Sequence, residues 1–377
     1  MNGKNTQAPE RRSRIVIRKN DGGAEGIHTQ SLIFIVSALL LLFSLIVAVT
    51  IALCEAPKNT PPVVRPGDSS SGGDNDTPTV KPLPNLPELP ELPENTVPAE
   101  SKSLYRPVDS SSIGSISGIS SKAALIANID TGMVLYANNP DQRVQIASMT
   151  KVMTLIVACD YLGGKAHLGD AVNLTYSDRL KGYNKAFLSE PGGTGAVTAD
   201  TVYVVDLLYG LILKSGADAA YGLAEHFAGG EEAFVAKMNE KAAALGMTNT
   251  HFTNCVGKDD GGQNYSSMRD VATMFTYALR NPLCENIITT KQWKCVGSYK
   301  RCSSISSLVL TNIADKGGPK FGSVTVLGGK SGKEDMSGYC LVSVCRNASG
   351  ERFAVVTMGH SNSSYTDSIY IYQNYIK

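Results

Sequence analysis

The sequence predicts an α/β domain of the α+β kind, in which a block of helices interrupts a sheet. Three observations lead there. Residues 122–128 alternate as a strand does, Asp130-Thr131-Gly132 supplies turn residues, and residues 133–137 form a second strand, so the stretch reads as a hairpin. Residues 146 to about 280 are mainly helical in pattern. Alternating runs at 339–344 and 353–358 then return to strand.

The chain has 377 residues, but its first hundred do not look globular, which leaves one domain large enough for a substantial core. Lys and Arg total 35 against 34 Asp and Glu, a formal charge of +1, and no basic cluster stands out in the globular part. No nucleic-acid partner is expected.

Residues 1–30 form a polar leader rich in Arg and Lys, and residues 31–53 follow without a charge. At about 1.5 Å per helical residue that run crosses a hydrocarbon core of about 30 Å. It reads as a transmembrane helix that enters the lipid bilayer, longer than the apolar part of a cleaved signal. Arg11, Arg12, Arg14, Arg18 and Lys19 precede it, so the positive-inside rule keeps the N-terminus cytoplasmic and the rest outside the cell.

Residues 54–108 turn to Pro, Ser, Gly, Asp and Glu and include LPNLPELPELPE at 83–94. Such a segment is expected to be a disordered linker with polyproline II character, and three residues per turn would line Leu86, Leu89 and Leu92 along one edge. The globular domain is expected over 109–377. Seven of the eight cysteines fall in it, an odd count without a Cys-x-x-Cys pair, which argues against a zinc ribbon. No essential disulfide framework is expected, with Cys295 and Cys302, or Cys340 and Cys345, the pairs left open.

The chemistry begins at Ser148-Met149-Thr150-Lys151, which opens IASMTKVMTLIVACDYL, a segment apolar almost all round and therefore a helix buried on most sides. A spacing of three puts Lys151 on the same face as the Ser148 hydroxyl. Serine needs a base to become a nucleophile, and lysine can serve only if burial or a neighbouring cation lowers its pKa. Lys330, in Lys330-Ser331-Gly332, is the natural neighbour. Ser215-Gly216-Ala217 lies between the two in sequence. Each motif alone has an ordinary structural reading as a helix cap, a helix start or an exposed turn. Their order and flanks carry the case.

With those flanks, AALIANIDTGMVLYANN, DLLYGLILKSGADAA, FVAKMNEKAAALGMTNTHFTN and GGKSGKEDMSGYCLVS, the chain from about residue 113 resembles the D-alanyl-D-alanine carboxypeptidases, the serine-type low-molecular-mass penicillin-binding proteins. The resemblance implies a β-lactamase/transpeptidase-like fold, an antiparallel five-stranded sheet beside a helical subdomain with the site in the cleft between. It implies that Ser148 is acylated, Lys151 accepts its proton and Ser215 relays a proton to the leaving group. Lys330 and Ser331 would bind the substrate's terminal carboxylate. Gly332 would let the strand come close to the ligand, and the backbone N–H groups of Ser148 and Lys333 would form an oxyanion hole.

Two positions depart from that pattern. Ala217 stands where the family has Asn, and Asp218 matches the Asp that follows it. Asn264 stands where relatives often carry His and is given no role. The expected activity is removal of the terminal D-alanine from peptidoglycan stem peptides, with β-lactams as covalent inhibitors and no cofactor or metal. The alternative is a penicillin- or muropeptide-binding protein with weak or no turnover. A β-lactamase is disfavoured by the lack of a Glu-x-x-Leu-Asn segment, and zinc and Ser-His-Asp hydrolases by the lack of His-Glu-x-x-His and Gly-x-Ser-x-Gly.

Overall fold

The computed structural model describes residues 89–174, 180, 182–188, 200–299 and 301–377. The leader, the expected membrane span and the tether up to residue 88 lie outside the described residues. No helix among those described is long and apolar enough to cross a membrane.

Seven strands make the main sheet: β1 (Val108–Gly114), β2 (Ala123–Asn128), β3 (Met133–Asn138), β4 (Lys320–Phe321), β5 (Val324–Glu334), β6 (Gly338–Arg346) and β7 (Arg352–His360). Their order is β1-β3-β2-β7-β6-β5-β4. The five central strands are antiparallel throughout, as the five-stranded expectation required. The sheet departs from it at both edges. β1 pairs parallel to β3, and β4 is a two-residue strand on the outer side of β5. Neither edge strand has an apolar alternation to read: β1 is VDSSSIG, and β4 is too short for a period.

Both faces of the sheet are covered, with period-two alternation dividing the strand residues between them. Leu125, Ala127, Val342 and Val356 face the helical block, while Ala124, Ile126, Leu341 and Val355 face a smaller layer with Ile371 and Tyr372. The alternation also settles one cysteine pairing, because Cys340 and Cys345 belong to opposite faces.

The helical block contains α1 (Lys151–Tyr161), α2 (Val204–Leu213), α3 (Ala217–Ala228), α4 (Glu231–Ala244), α5 (Met268–Ala278) and α6 (Pro282–Thr289). α1 is buried from Lys151 to Cys159, consistent with its uninterrupted apolar sequence. α7 (Leu308–Asp315) flanks β5, and α8 (Thr366–Asn374) closes the far face.

The end of the expected disordered linker is packed. Residues 89–107 have little regular structure, yet Leu92 and Tyr105 enter the core with Leu89 against it. Asn95 donates to the Cys159 carbonyl at 2.8 Å and accepts from Asn281 at 2.6 Å, and Arg106 pairs with Asp270 at 2.6 Å. The Leu-Pro-Glu repeat offers leucines on one edge. The helical block offers the apolar surface they meet.

Candidate active site

Ser148 sits in a 3₁₀ turn, Ala147–Thr150, immediately before α1, so it precedes the α-helix that the sequence extended through it. The turn is held from three sides. Ala147 has φ +46°, a left-handed conformation that costs a non-glycine residue on the order of 1 kcal/mol or more. Asn264 donates to the Thr150 hydroxyl at 3.1 Å and accepts from the Thr253 N–H at 3.2 Å, giving that buried residue a structural place. Gly257 and Gly332 lie against the turn: a Cβ on Gly257 would meet the Ala147 carbonyl at 1.9 Å, and one on Gly332 the Ser148 nitrogen at 3.0 Å.

Lys151 is 1 % exposed and donates to the Ser148 hydroxyl at 3.1 Å and to the Val256 carbonyl at 2.6 Å. No carboxylate touches it among the described residues. Burial brings its pKa down to about 8, against weak upward pulls from Cys255, Glu334 and Asp218. The Val256 carbonyl is itself aimed by Asn254, whose side-chain oxygen accepts from the N–H groups of Val256, Gly257 and Lys258.

Lys330, also 1 % exposed, reaches in from β5 and donates to the Ser215 hydroxyl at 2.9 Å and the Ser331 carbonyl at 2.6 Å. Burial and then the positive charge on Lys151 push its pKa well below the ordinary lysine value. Ser215 lies between α2 and α3 with φ +60°, a second strained non-glycine residue at the site.

Ser148, Ser215, Ser331, Gly332 and Lys333 line one cavity of about 350 Å³. β5 runs along it, and on its outer side β4 pairs with Val324 and Thr325 while the Val326 N–H donates to the Pro319 carbonyl at 2.9 Å, which leaves the stretch through residues 330–333 without a strand partner there among the described residues. Asn184, Asn312 and Tyr365 line it too. Glu334, half-buried next to Lys333, has its carboxyl pKa raised by burial, with Lys151 pulling the other way.

These positions, 110–362, match the family model of the D-alanyl-D-alanine carboxypeptidases. The chain belongs to that family. The D-alanyl-D-alanine carboxypeptidase DacF of Bacillus subtilis is 35 % identical over 238 residues, 62 % of this chain and 56 % of that protein. The D-alanyl-D-alanine carboxypeptidase of Streptomyces sp. K15 is 31 % identical over 57 % of this chain and 72 % of its own. Among solved structures, penicillin binding protein 5 of Haemophilus influenzae gives a TM-score of 0.56 at 30 % identity, covering 66 % of this chain and 67 % of that one. A mutant of the Streptomyces K15 DD-transpeptidase gives 0.58 at 27 %, covering 68 % and 98 %. The chain thus spans little more than half of the Bacillus relative's length.

Within this family frame the fold brings together every residue singled out from sequence: Ser148, Lys151, Ser215, Lys330, Ser331, Gly332 and Lys333. Lys333 is the outlying one, exposed, with its ammonium 4.8 Å from the centre of the Tyr339 ring. Ala217 begins α3, buried, and its N–H donates to the Asn184 carbonyl at 2.8 Å. Asp218 does not replace an amide in the cleft. Its carboxylate accepts from the N–H groups of Ala186, Phe187, Leu188 and Ala219 at 2.8 to 3.0 Å. Sequence reasoning missed Asn184, Val256, Gly257 and Glu334. Of these only Gly257 left a signal, as one glycine in a loop that demands positive φ.

Proposed function

We propose that this chain is a serine-type D-alanyl-D-alanine carboxypeptidase working through an acyl-Ser148 intermediate, with its domain held outside the membrane by residues 31–53. The observation that carries the reading is a lysine buried to 1 % exposure 3.1 Å from the Ser148 hydroxyl, where burial brings its pKa down to about 8. A neutral Lys151 can take the Ser148 proton as Oγ attacks the carbonyl carbon of the penultimate D-alanine. The Ser148 N–H, which makes no backbone hydrogen bond among the described residues, and the Lys333 N–H are the donors for the oxyanion. The C–N bond then breaks. The proton reaches the departing amine through Ser215, whose hydroxyl accepts from Lys330, and D-alanine leaves. Water attacks the ester carbonyl, returning the proton to Ser148 and releasing the shortened peptide.

A β-lactam enters the same sequence when its ring amide opens on Ser148, and the opened ring keeps its leaving amine tethered in the site. The relatives named as D-alanyl-D-alanine carboxypeptidases support the stem peptide ending in D-Ala-D-Ala as substrate. The second reading, a binding protein with little turnover, draws on Ala217, which puts a methyl group where the family has an amide. For the anchor, the support is the charge-free run 31–53 behind a basic leader.

A fluorescent penicillin should label the full-length chain and leave Ser148→Ala unlabelled, and D-alanine should be released from a D-Ala-D-Ala peptide. Equal labelling of both chains would end the proposal. Labelling without D-alanine release would favour the binding reading.

A further inference from the structure

Ser331, Gly332 and Lys333 of β5 line one side of the cleft and Ser215, in the loop joining α2 to α3, lines the other, so an extended peptide bound there would lie between them. β5 can pair with its backbone along the free edge. The opposite side is poorly equipped. Ser215 is engaged by Lys330, Gly216 has no side chain, and Ala217 is buried with only a methyl group. A peptide carbonyl or N–H buried there without a partner would be left with its desolvation uncompensated.

The segment at 184–188 is fastened to that loop. The Asn184 carbonyl accepts from the Ala217 N–H at 2.8 Å, and the Asp218 carboxylate gathers the next N–H groups, Ala186 and Phe187 at 2.8 Å and Leu188 at 3.0 Å. Gly216 packs close below, where a Cβ would meet Ala186 Cβ at 2.8 Å. These contacts use backbone atoms of the segment, so they fix where Asn184 stands whatever its side chain is. Its side-chain amide makes no hydrogen bond among the described residues, and Asn184 lines the same cavity as Ser148, Ser215 and Ser331. The next residue back, Tyr183, feels the Glu334 carboxylate across the cleft: burial first, then Glu334 and Glu231, raise its phenol to about 12.

We propose that the Asn184 side-chain amide binds the substrate's peptide group beside the scissile bond, on the side of the cleft where the loop at 215–217 has no amide to offer. One amide offers both an acceptor and donors, the complement of a peptide group. The departure at 217 is thereby made good from a different segment, one that the Asp218 carboxylate holds in register. Asn184 is a substrate-binding residue in this account and takes no part in proton transfer.

The proposal rests on the acyl-Ser148 reading and is tested by second-order acylation of the full-length chain with the fluorescent penicillin and by kcat/KM on a D-Ala-D-Ala peptide. Asn184→Ala should lower both about tenfold, leave the thermal midpoint in place, and leave the pH profile of acylation unshifted. Asn184→Asp keeps the shape but loses the N–H donors, and should be as slow. Adding Ala217→Asn to Asn184→Ala should recover most of the loss, whereas Ala217→Asn alone should gain less than threefold. A labelled wild type with an unimpaired Asn184→Ala, or a double variant no faster than the single, would overturn this proposal alone. A wild type that takes up no penicillin would overturn the acyl-enzyme reading and this one with it.

Discussion

Lys151 and Lys241 are both buried lysines reached from α1, and the protein treats them in opposite ways. Lys241 is on α4, 7 % exposed on its side chain, and pairs with Asp160 of α1 at 2.8 Å and with Glu100 of the packed N-terminal arm. Burial alone would lower its pKa, but the two carboxylates outweigh that and raise it. Lys151 has the same chemistry, is buried more deeply and has no carboxylate in contact among the described residues, and its pKa falls to about 8. Ion pairing makes one lysine a fastener. Leaving the charge uncompensated makes the other a base.

The sharpest way to break the contrast is to remove the charge at the cleft. Lys151→Met should lower acylation by penicillin at least about a thousandfold, since the general base is gone. It should also stabilise the fold at neutral pH. A depression from 10.5 to about 8 corresponds to a cost of about 3 kcal/mol for keeping Lys151 charged and buried. Loss of its bond to the Val256 carbonyl takes some of this back, leaving a net gain of about 2 kcal/mol. Urea unfolding at pH 7 measures it. A variant that is inactive and also less stable would mean that Lys151 is a structural cation.

The second effect is on the pH profile. A lysine with a lowered pKa is neutral in only roughly a tenth of molecules one unit below that value, so acylation should rise about tenfold from pH 7 to 9 and level above it. The linkage has the same sign. Lys151 holds stability back below about 8 and returns it as pH rises from there to 10.5, while the raised pKa of Lys241 keeps its contribution intact over that range. A rate flat from pH 6 to 9 would contradict a titrating Lys151.

The difference also explains what the sequence could reveal. Ser148 and Lys151 are three apart on one turn, so their meeting was readable from spacing, and the five central strands announced themselves by alternation. Lys330 and Ser215 could be placed only through the family flanks, because 115 positions separate them. Asn184 and the Val256 carbonyl were illegible. One enters through a loop pinned by the Asp218 carboxylate, and the other is a backbone atom, which any residue type supplies. The ordered arm was hidden for a related reason. Its composition is that of a disordered chain, and residues such as Leu92, Asn95, Glu100 and Arg106 meeting partners far along the chain give it a place.

The smallest effect on acylation belongs to the fastener. Lys241→Met leaves Asp160 partly buried and unpaired, and it releases Glu100 and the arm that carries it. Breaking a buried pair costs 3 to 5 kcal/mol in the usual case. Here Glu100 is 49 % and Asp160 28 % exposed, so water recovers much of that, and about 2 kcal/mol is expected. The arm should become open to proteolysis near residues 97–104, where Val97 and Leu104 are already exposed, before the rest of the domain is cut. Acylation of Ser148 in the folded variant should proceed at the wild-type rate, because Lys241 does not line the cleft. If it slowed as much as in Lys151→Met, the two lysines would be coupled through α1, and the division between fastener and base would fail.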